Sequence, residues 1–338
     1  MNKKWGYGIA IFISIIVVVL LGIRIFFWVN KGKNETTPEY VLFYAENQVE
    51  DYPTTLGAQK FADRVYECTD GRIKIIVKCE AELGSEMQVI QQMQFGGIAF
   101  ARVSLSQIAE YIPEMNVLQL PYLYSDSEHM WRVLDGEVGD YFLEETVKEG
   151  IVGLSWYDAG ARNFYSTKPI SKLEDLEGMN IRVQESDMMA DMVSALGANP
   201  MKIVYADVYS ALEQGIVDCA ENNWPSYEAM RHCDVARYYT LDEHTRVPEL
   251  QICSKVIWDK LSVEDQKIIM ECARESALLE RRLWQEREKT SKEIAEKRGT
   301  TVIALPDSEK KRFRNAMSLV YEKYAGDQMD MISKITEY

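Results

Sequence analysis

Several familiar signatures are missing from this chain. It contains no GxxxxGK[ST], no GxGxxG after a strand-like run, no GxSxG and no HExxH. Phosphate-loop, dinucleotide, serine-hydrolase and zinc-peptidase chemistry therefore have no foothold. The 3 His (His129, His232, His244) stand far apart, and the 6 Cys (Cys68, Cys79, Cys219, Cys233, Cys253, Cys272) show no CxxC or metal-like spacing. No resident metal and no cofactor are expected. The even cysteine count permits disulfides without demanding them, and buried free thiols are the simpler reading. Gly (19) and Pro (9) are few among 338 residues of which 47% are apolar, which excludes disorder and fibrous repeats. Basic charge is also scarce, with 38 Lys+Arg against 53 Asp+Glu and a net charge of −15. Five of those basic residues precede Asn34 and no acid does, so residues 34–338 carry −20. Such a body cannot neutralise a phosphate backbone, and nucleic acid is set aside as a partner. Any two of the 53 acids could meet in space, so spacing alone does not dismiss a carboxylate pair of the glycosidase kind.

What is present begins with an apolar run. Gly6–Ile23 is 18 residues without a charge, and Arg24 is followed by IFFWV. At 1.5 Å per residue that run covers about 27 Å, close to the roughly 30 Å of a hydrocarbon core. Trp5 and Trp28 flank it as interfacial aromatics do, with Arg24 able to snorkel. A small-x-small cleavage site is missing, and the first cysteine, Cys68, lies too far on for lipoprotein processing. An uncleaved anchor over residues 6–28 is expected, with a cleaved signal as the alternative. Lys3 and Lys4 favour an inside N-terminus, although Lys31 and Lys33 flank the other end. Residues 1–37 read as anchor and stalk, tethering an extracytoplasmic body.

The length of the remainder suits two domains. Tyr40–Ala45 reads as a buried strand, then a helix with Leu56, Phe61, Val65 and Tyr66 on its apolar face, capped by Thr54 or Thr55 and ended by Gly71. Ile73, Ile75 and Val77 mark a second strand, Ser85 starts a helix stopped by Gly96-Gly97, and Ile98–Val103 is a third strand. This alternation implies parallel βαβ units. Strands Ile151–Tyr157 and Ile181–Val183 resume the pattern, with helices at Met188–Leu196 and Val208–Gln214. From Ser262 to Arg298 there is neither Gly nor Pro; Ser262 and Asp265 form a capping box and Gly299 ends the run. A helix of that length, about 54 Å, lies most naturally across both lobes of a bilobed protein, with a coiled coil as the alternative. A strand at Val302–Leu305 and a helix at Asp307–Tyr324 follow.

Three segments hold candidate binding residues. In Asn180–Glu185 the period of two sends Ile181 and Val183 to one face, and Arg182 and Gln184 to the other. An arginine near the C-terminal end of an α/β strand points to the crevice where such sheets bind ligands, and its planar fork fits a carboxylate. A solvated strand end or a structural ion pair would look the same. Arg162, in Gly160-Ala161-Arg162-Asn163, follows a strand and could face the same crevice, or serve only structure. Glu221-Asn222-Asn223-Trp224-Pro225 is a strand end running into a helix start. There Asn222 or Asn223 either caps the helix or reaches ligand hydroxyls, and Trp224 is either core or a stacking platform.

These segments carry a resemblance. GARN (160–163), LEDLEGMNIRVQES (173–186) and YADVYSALEQGIVDCAENNWPS (205–226) resemble the solute-binding proteins of tripartite ATP-independent periplasmic (TRAP) transporters. So do GAQKFADRV (57–65), GRIKIIVKCEAELGSE (71–86) and FARVSLS (100–106), and the likeness extends from about Pro38 to Tyr324. It implies an α/β, periplasmic-binding-protein-like fold of two lobes joined by crossing strands and a long helix, closing on an organic acid. The implied division is 38–159 plus 248–287 for lobe I and 160–247 plus 288–338 for lobe II. The implied contacts are Arg182 as main carboxylate clamp, Arg162 as second cation and Asn222 as polar contact, with Arg102, Gln184 and Asn223 in the same segments. The implied partners are the membrane subunits of the transporter. Cys219 departs from the glycine common in such proteins.

A dicarboxylate would want cations at both ends. Here Glu46-Asn47-Gln48 follows the first strand and Glu185 follows the Arg182 strand. Ionised carboxylates accept hydrogen bonds from hydroxyls and repel a second carboxylate. One clamp, acidic acceptors at Glu46 and Glu185, and an aromatic platform at Trp224 or Trp156 fit a monocarboxylated sugar. AENQ (45–48), EDYPT (50–54) and HTRVPE (244–249) further resemble the hexuronate-binding subgroup, so D-glucuronate or D-galacturonate is expected. A C4-dicarboxylate or sialic acid in the same family is the alternative, and a secreted carbohydrate-active enzyme a more remote one.

Overall fold

The computed structural model describes residues 37–326 and 328–338. The run 6–28 expected to anchor the chain lies outside them, and among the described residues no helix is long and apolar enough to cross a membrane. The strands are β1 (Tyr40–Ala45), β2 (Ile73–Lys78), β3 (Phe100–Ser104), β4 (Ile151–Tyr157), β5 (Ala161–Ser166), β6 (Asn180–Val183), β7 (Asn199–Lys202), β8 (Cys219–Asn222), β9 (Tyr238–Arg246), β10 (Glu249–Ser254) and β11 (Thr301–Ala304). They form two sheets, one per lobe, in the orders β2-β1-β3-β10-β4 and β11-β9-β5-β8-β6-β7.

In the first sheet β1 runs parallel to both β2 and β3, as the strand–helix alternation predicts, with β10 antiparallel between β3 and β4. In the second, β6 is parallel to β7 and β8, while β5 is antiparallel to β8 and β9. Two connections carry the chain between sheets. β4 passes into β5 through Asp158-Ala159-Gly160, and β9 passes into β10 through Val247-Pro248. Pro248 offers no N–H to the ladder, which helps end β9 at that point. Gly160 has φ +59°, and a Cβ there would lie 2.8 Å from Glu288 Oε1 and 3.0 Å from Trp284 Nε1. A residue with a side chain would therefore strain the backbone and collide with the long helix at once.

That helix is Val263–Lys297, capped by Ser262, whose hydroxyl accepts from the Asp265 N–H at 3.1 Å. At 35 residues it is about 52 Å long. Its first half places Ile269, Cys272 and Ala273 in the core with Tyr44, Phe61, Val65 and Phe100. Further along it meets the helix Trp224–Ala229 of the second lobe, and Arg287 reaches Asp51 and Glu228, both at 3.1 Å. The apolar stripe is thus used within the chain, across both lobes.

Several local expectations change. Tyr52, not Thr54 or Thr55, holds the N-cap position of the helix Pro53–Cys68 and gives no side-chain hydrogen bond there; both threonines are buried within its first turn, and Pro53 sets the start. Tyr66 is exposed rather than core. The helix expected over 307–324 breaks at Met317 into Asp307–Ala316 and Ser318–Tyr324, and a further helix, Met329–Thr336, follows. Glu309 and Arg312 hold the first of these to Leu173 and Glu174, while Lys334 pairs with Glu137 and the Ile335 carbonyl lies 2.7 Å from His129 Nε2. Residues 288–338, grouped with lobe II from the sequence, therefore contact both lobes. Cys219 is core on β8, where its side chain meets no cavity.

Candidate functional site

The C-terminal ends of β1, β3, β6 and β8 converge between the lobes on a cavity of about 500 Å³. That is a small-molecule size. The first lobe contributes Asn47, Gln48, Glu86, Arg102, Gln107 and Glu249; the second contributes Arg162, Arg182, Gln184, Glu185, Tyr205, Asn222 and Asn223. Hydrogen bonds bridge the lobes around it. Gln184 Nε2 donates to Gln107 Oε1 at 3.3 Å, the Tyr205 hydroxyl to Gln48 Oε1 at 3.1 Å, and the Tyr52 hydroxyl lies 2.9 Å from Ser226 Oγ. The lobes are closed on one another.

Arg182 stands on β6 with Ile181 and Val183 sent into the core, as the period of two requires. It is 1% exposed, and Nε donates to the Ile203 carbonyl at 2.9 Å. Nη1 is buried without a protein partner, and among the described residues no carboxylate pairs with the guanidinium. Burial pulls its pKa below the ordinary arginine value. Burial and the Arg182 charge together hold His232 down at about 3, so that imidazole is neutral. A buried cation lacking a counter-ion is costly, and an anion in the cavity would relieve that cost.

Arg162 is built differently. Its Nε and Nη2 grip the Glu221 carboxylate, with Nη2 also donating to the Glu221 carbonyl at 2.9 Å. Behind this pair, His244 Nδ1 lies 2.8 Å from Asp242 and Nε2 3.6 Å from Glu221. Burial opposes charge on Glu221, yet Arg162 and His244 hold its carboxyl down at about 2. His244 is likewise resisted by burial but lifted to about 9 by Asp242 and Glu221.

The opposite wall holds Arg102 among three acids. Glu46 receives Nε and Nη2, while Nη1 is shared between Glu86 at 2.6 Å and Glu249 at 2.9 Å. Glu46 also accepts the Asn47 and Gln48 N–H groups at 2.8 and 3.1 Å. Glu86 and Glu249 have less compensation. Burial, reinforced by Glu249 and Glu46 against the pull of Arg102, lifts Glu86 to about 7. Burial raises Glu249 too. This wall can accept hydrogen bonds and repels added negative charge.

One end of the cavity therefore favours a carboxylate and the other favours hydroxyls. Residues 44–327 match the DctP family, the bacterial extracellular solute-binding proteins of family 7. The chain belongs to that family. It is a TRAP solute-binding protein. It is 33% identical over 287 residues to a solute-binding protein of Chromohalobacter salexigens, covering 85% of each chain. Among solved structures, a TRAP protein of Bradyrhizobium sp. BTAi1 in complex with galacturonate is 38% identical, with a TM-score of 0.86 and coverage of 88% of this chain and 100% of that one. One from Pseudomonas putida F1 with bound D-glucuronate is 35% identical, with a TM-score of 0.85 and coverage of 88% and 96%.

Of the residues singled out in the sequence of this DctP-family protein, Arg182, Arg162, Asn222, Asn47, Gln184, Glu185, Arg102 and Asn223 come together at the cavity wall. Three do not. Glu46 is 2% exposed and lies behind Arg102, where its oxygens are taken by the guanidinium and two N–H groups. Trp224 stacks on Tyr239, ring centroids 3.6 Å apart, inside the second-lobe core. Trp156 is core, its Nε1 donating to the Gly139 carbonyl at 3.3 Å. The acidic wall and the aromatics are instead Glu86, Glu249, Tyr52, Tyr205 and Trp284. Tyr52 and Glu249 sit in the strings EDYPT and HTRVPE, and Glu86 and Tyr205 at the ends of the strings 71–86 and 205–226, a signal already visible; Trp284 had none beyond residue type. Asn223 has a second task, since its Oδ1 caps the Trp224 helix by accepting the Ser226 N–H at 2.8 Å.

Proposed function

We propose that this protein captures a hexuronate, D-glucuronate or D-galacturonate, between its lobes and presents it to the membrane subunits of a TRAP transporter. The observation that carries the reading is Arg182: buried, at the cavity wall, with a guanidinium nitrogen unpartnered and, among the described residues, no carboxylate paired with it. In this reading the ligand carboxylate lies on Arg182, with Arg162 and Asn222 as further contacts and Asn47, Gln184, Glu185, Arg102 and Asn223 around the sugar. Arg162 is already balanced by Glu221, so one clamp rather than two awaits an anion. The partly compensated Glu86 and Glu249 across the cavity disfavour a second carboxylate and suit hydroxyls, which argues for a sugar acid over a C4-dicarboxylate. The galacturonate and glucuronate held by similar proteins support the same choice.

Isothermal titration with glucuronate, galacturonate, succinate and sialate tests it. Micromolar or tighter binding of a uronate, recovered chemically unchanged, is expected. Tighter binding of succinate or sialate would overturn the uronate reading, and consumption of the ligand would point to an enzyme. We also propose that residues 6–28 tether the protein to the membrane, on the strength of the uncharged run 6–23 and the apolar IFFWV after Arg24; release into the soluble fraction with an N-terminus beyond residue 28 would refute this.

A further inference from the structure

Two of the cysteines are brought together by the helices that carry them. The helix Pro53–Cys68 and the first half of the long helix run antiparallel, and their ion pairs mark the register. Arg64 Nε meets Glu275 at 2.9 Å, and Arg72 pairs with Asp265 at 2.6 Å. Cys68 lies midway between those two arginines in sequence, and Cys272 lies between those two acids. Ala58 and Ala62 of one helix and Ala273 of the other are small residues of the same buried core cluster. A Cβ placed on Gly57 would come within 3.1 Å of Glu280 Cβ, so one end of this seam has no room for a larger residue there. Cys68 closes its helix and is exposed; Cys272 is 3% exposed. The Cys272 thiol is pushed up to about 12 by burial and then by the nearby Cys68 sulfur.

We infer that Cys68 and Cys272 are a disulfide site that fastens the first helix to the long helix once the protein stands outside the cytoplasm. The family is extracellular, the compartment where disulfides persist. The oxidant required is a small-molecule or protein disulfide. The accessible Cys68 thiolate attacks it, forming a mixed disulfide and releasing one thiol; the Cys272 sulfur then displaces the second thiol and closes the bridge. Two S–H bonds are lost, one S–S bond forms, and both protons leave with the two released thiols. The bridge would hold the front half of the long helix to the first lobe. Neither cysteine lines the ligand cavity, so the inference stands apart from the choice of ligand.

The full chain, reduced and then exposed to glutathione disulfide, provides the test. Thiol titration in denaturant should fall from six to four, a peptide map should link Cys68 to Cys272, and the melting temperature should rise by several degrees over the reduced form. In Cys272→Ser, Cys68 should instead be caught as a glutathione adduct. Six thiols remaining, or a bridge joining any other pair, would overturn the assignment.

Discussion

Arg162 and Arg182 stand on the same sheet and face the same cavity, but among the described residues only Arg162 has a carboxylate partner. Glu221 on β8 takes Arg162 through side chain and backbone, whereas Arg182, on the neighbouring strand β6, donates to a carbonyl and leaves Nη1 unpaired. Of these two cations, one is satisfied by an acid and the other keeps an unpartnered nitrogen beside the cavity.

That asymmetry separates the two arginines experimentally. Arg182→Ala should weaken uronate binding at least tenfold, about 1.4 kcal/mol or more, with little loss of stability, since it removes a cation that burial disfavours. Arg162→Ala should cost stability, on the order of 3–5 kcal/mol, because it strands the buried Glu221. Titration calorimetry and thermal melts on both variants check the split. An unchanged affinity in folded Arg182→Ala would remove the clamp.

Ligand affinity should depend on pH through Glu86. Its carboxyl, lifted to about 7, is ionised above that value and neutral below. The groups facing it are Glu46, Glu249, Arg102 and Asn47, and their balance is negative. Protonation removes one negative charge from the wall, so a uronate, ionised throughout, should bind several-fold tighter at pH 6 than at pH 8. Glu86→Gln should flatten the profile. A pH-independent dissociation constant in the native protein would contradict this.

Stability should fall on the alkaline side through His244. Its folded pKa of about 9 exceeds the ordinary value near 6.5, so its contribution is complete below about 6.5 and is lost as pH rises through 9. The full effect is on the order of a few kcal/mol. Glu221 acts at the other end: held at about 2, it contributes above roughly 4.5 and loses that contribution as pH falls toward 2. Melting temperatures from pH 6 to 9.5 should decline, and His244→Gln should reduce the slope while lowering the starting value. Equal slopes in both proteins would rule out His244 as the source.

Much of the frame was legible without coordinates. The capped, Gly-free run from Ser262 to Arg298 became one helix, because capping and propensity act within a few residues. The alternation through Asn180–Glu185 placed Arg182 on the cavity face, because a strand's period of two is local geometry. Less was legible where a residue's role depended on what lay opposite. Glu46 looked like a free acceptor beside Asn47 and Gln48, but the fold brings Arg102 onto it from β3 and leaves Glu86 and Glu249 at the wall. Trp224 looked like a platform beside the asparagines, but Tyr239 arrives from β9 and makes it core.

The sequence by itself determined the lobed α/β plan, the long helix and the strand that carries Arg182 to the cavity, since periodicity, caps and chain order suffice for those. Only the tertiary structure decided which charges are paired. Arg162 is neutralised by an acid 59 residues away and Arg102 by one 56 residues away, while among the described residues no acid pairs with Arg182. Whether a charge is free to bind a ligand depends on the field of its spatial neighbours, and those are chosen by packing between segments distant in the chain.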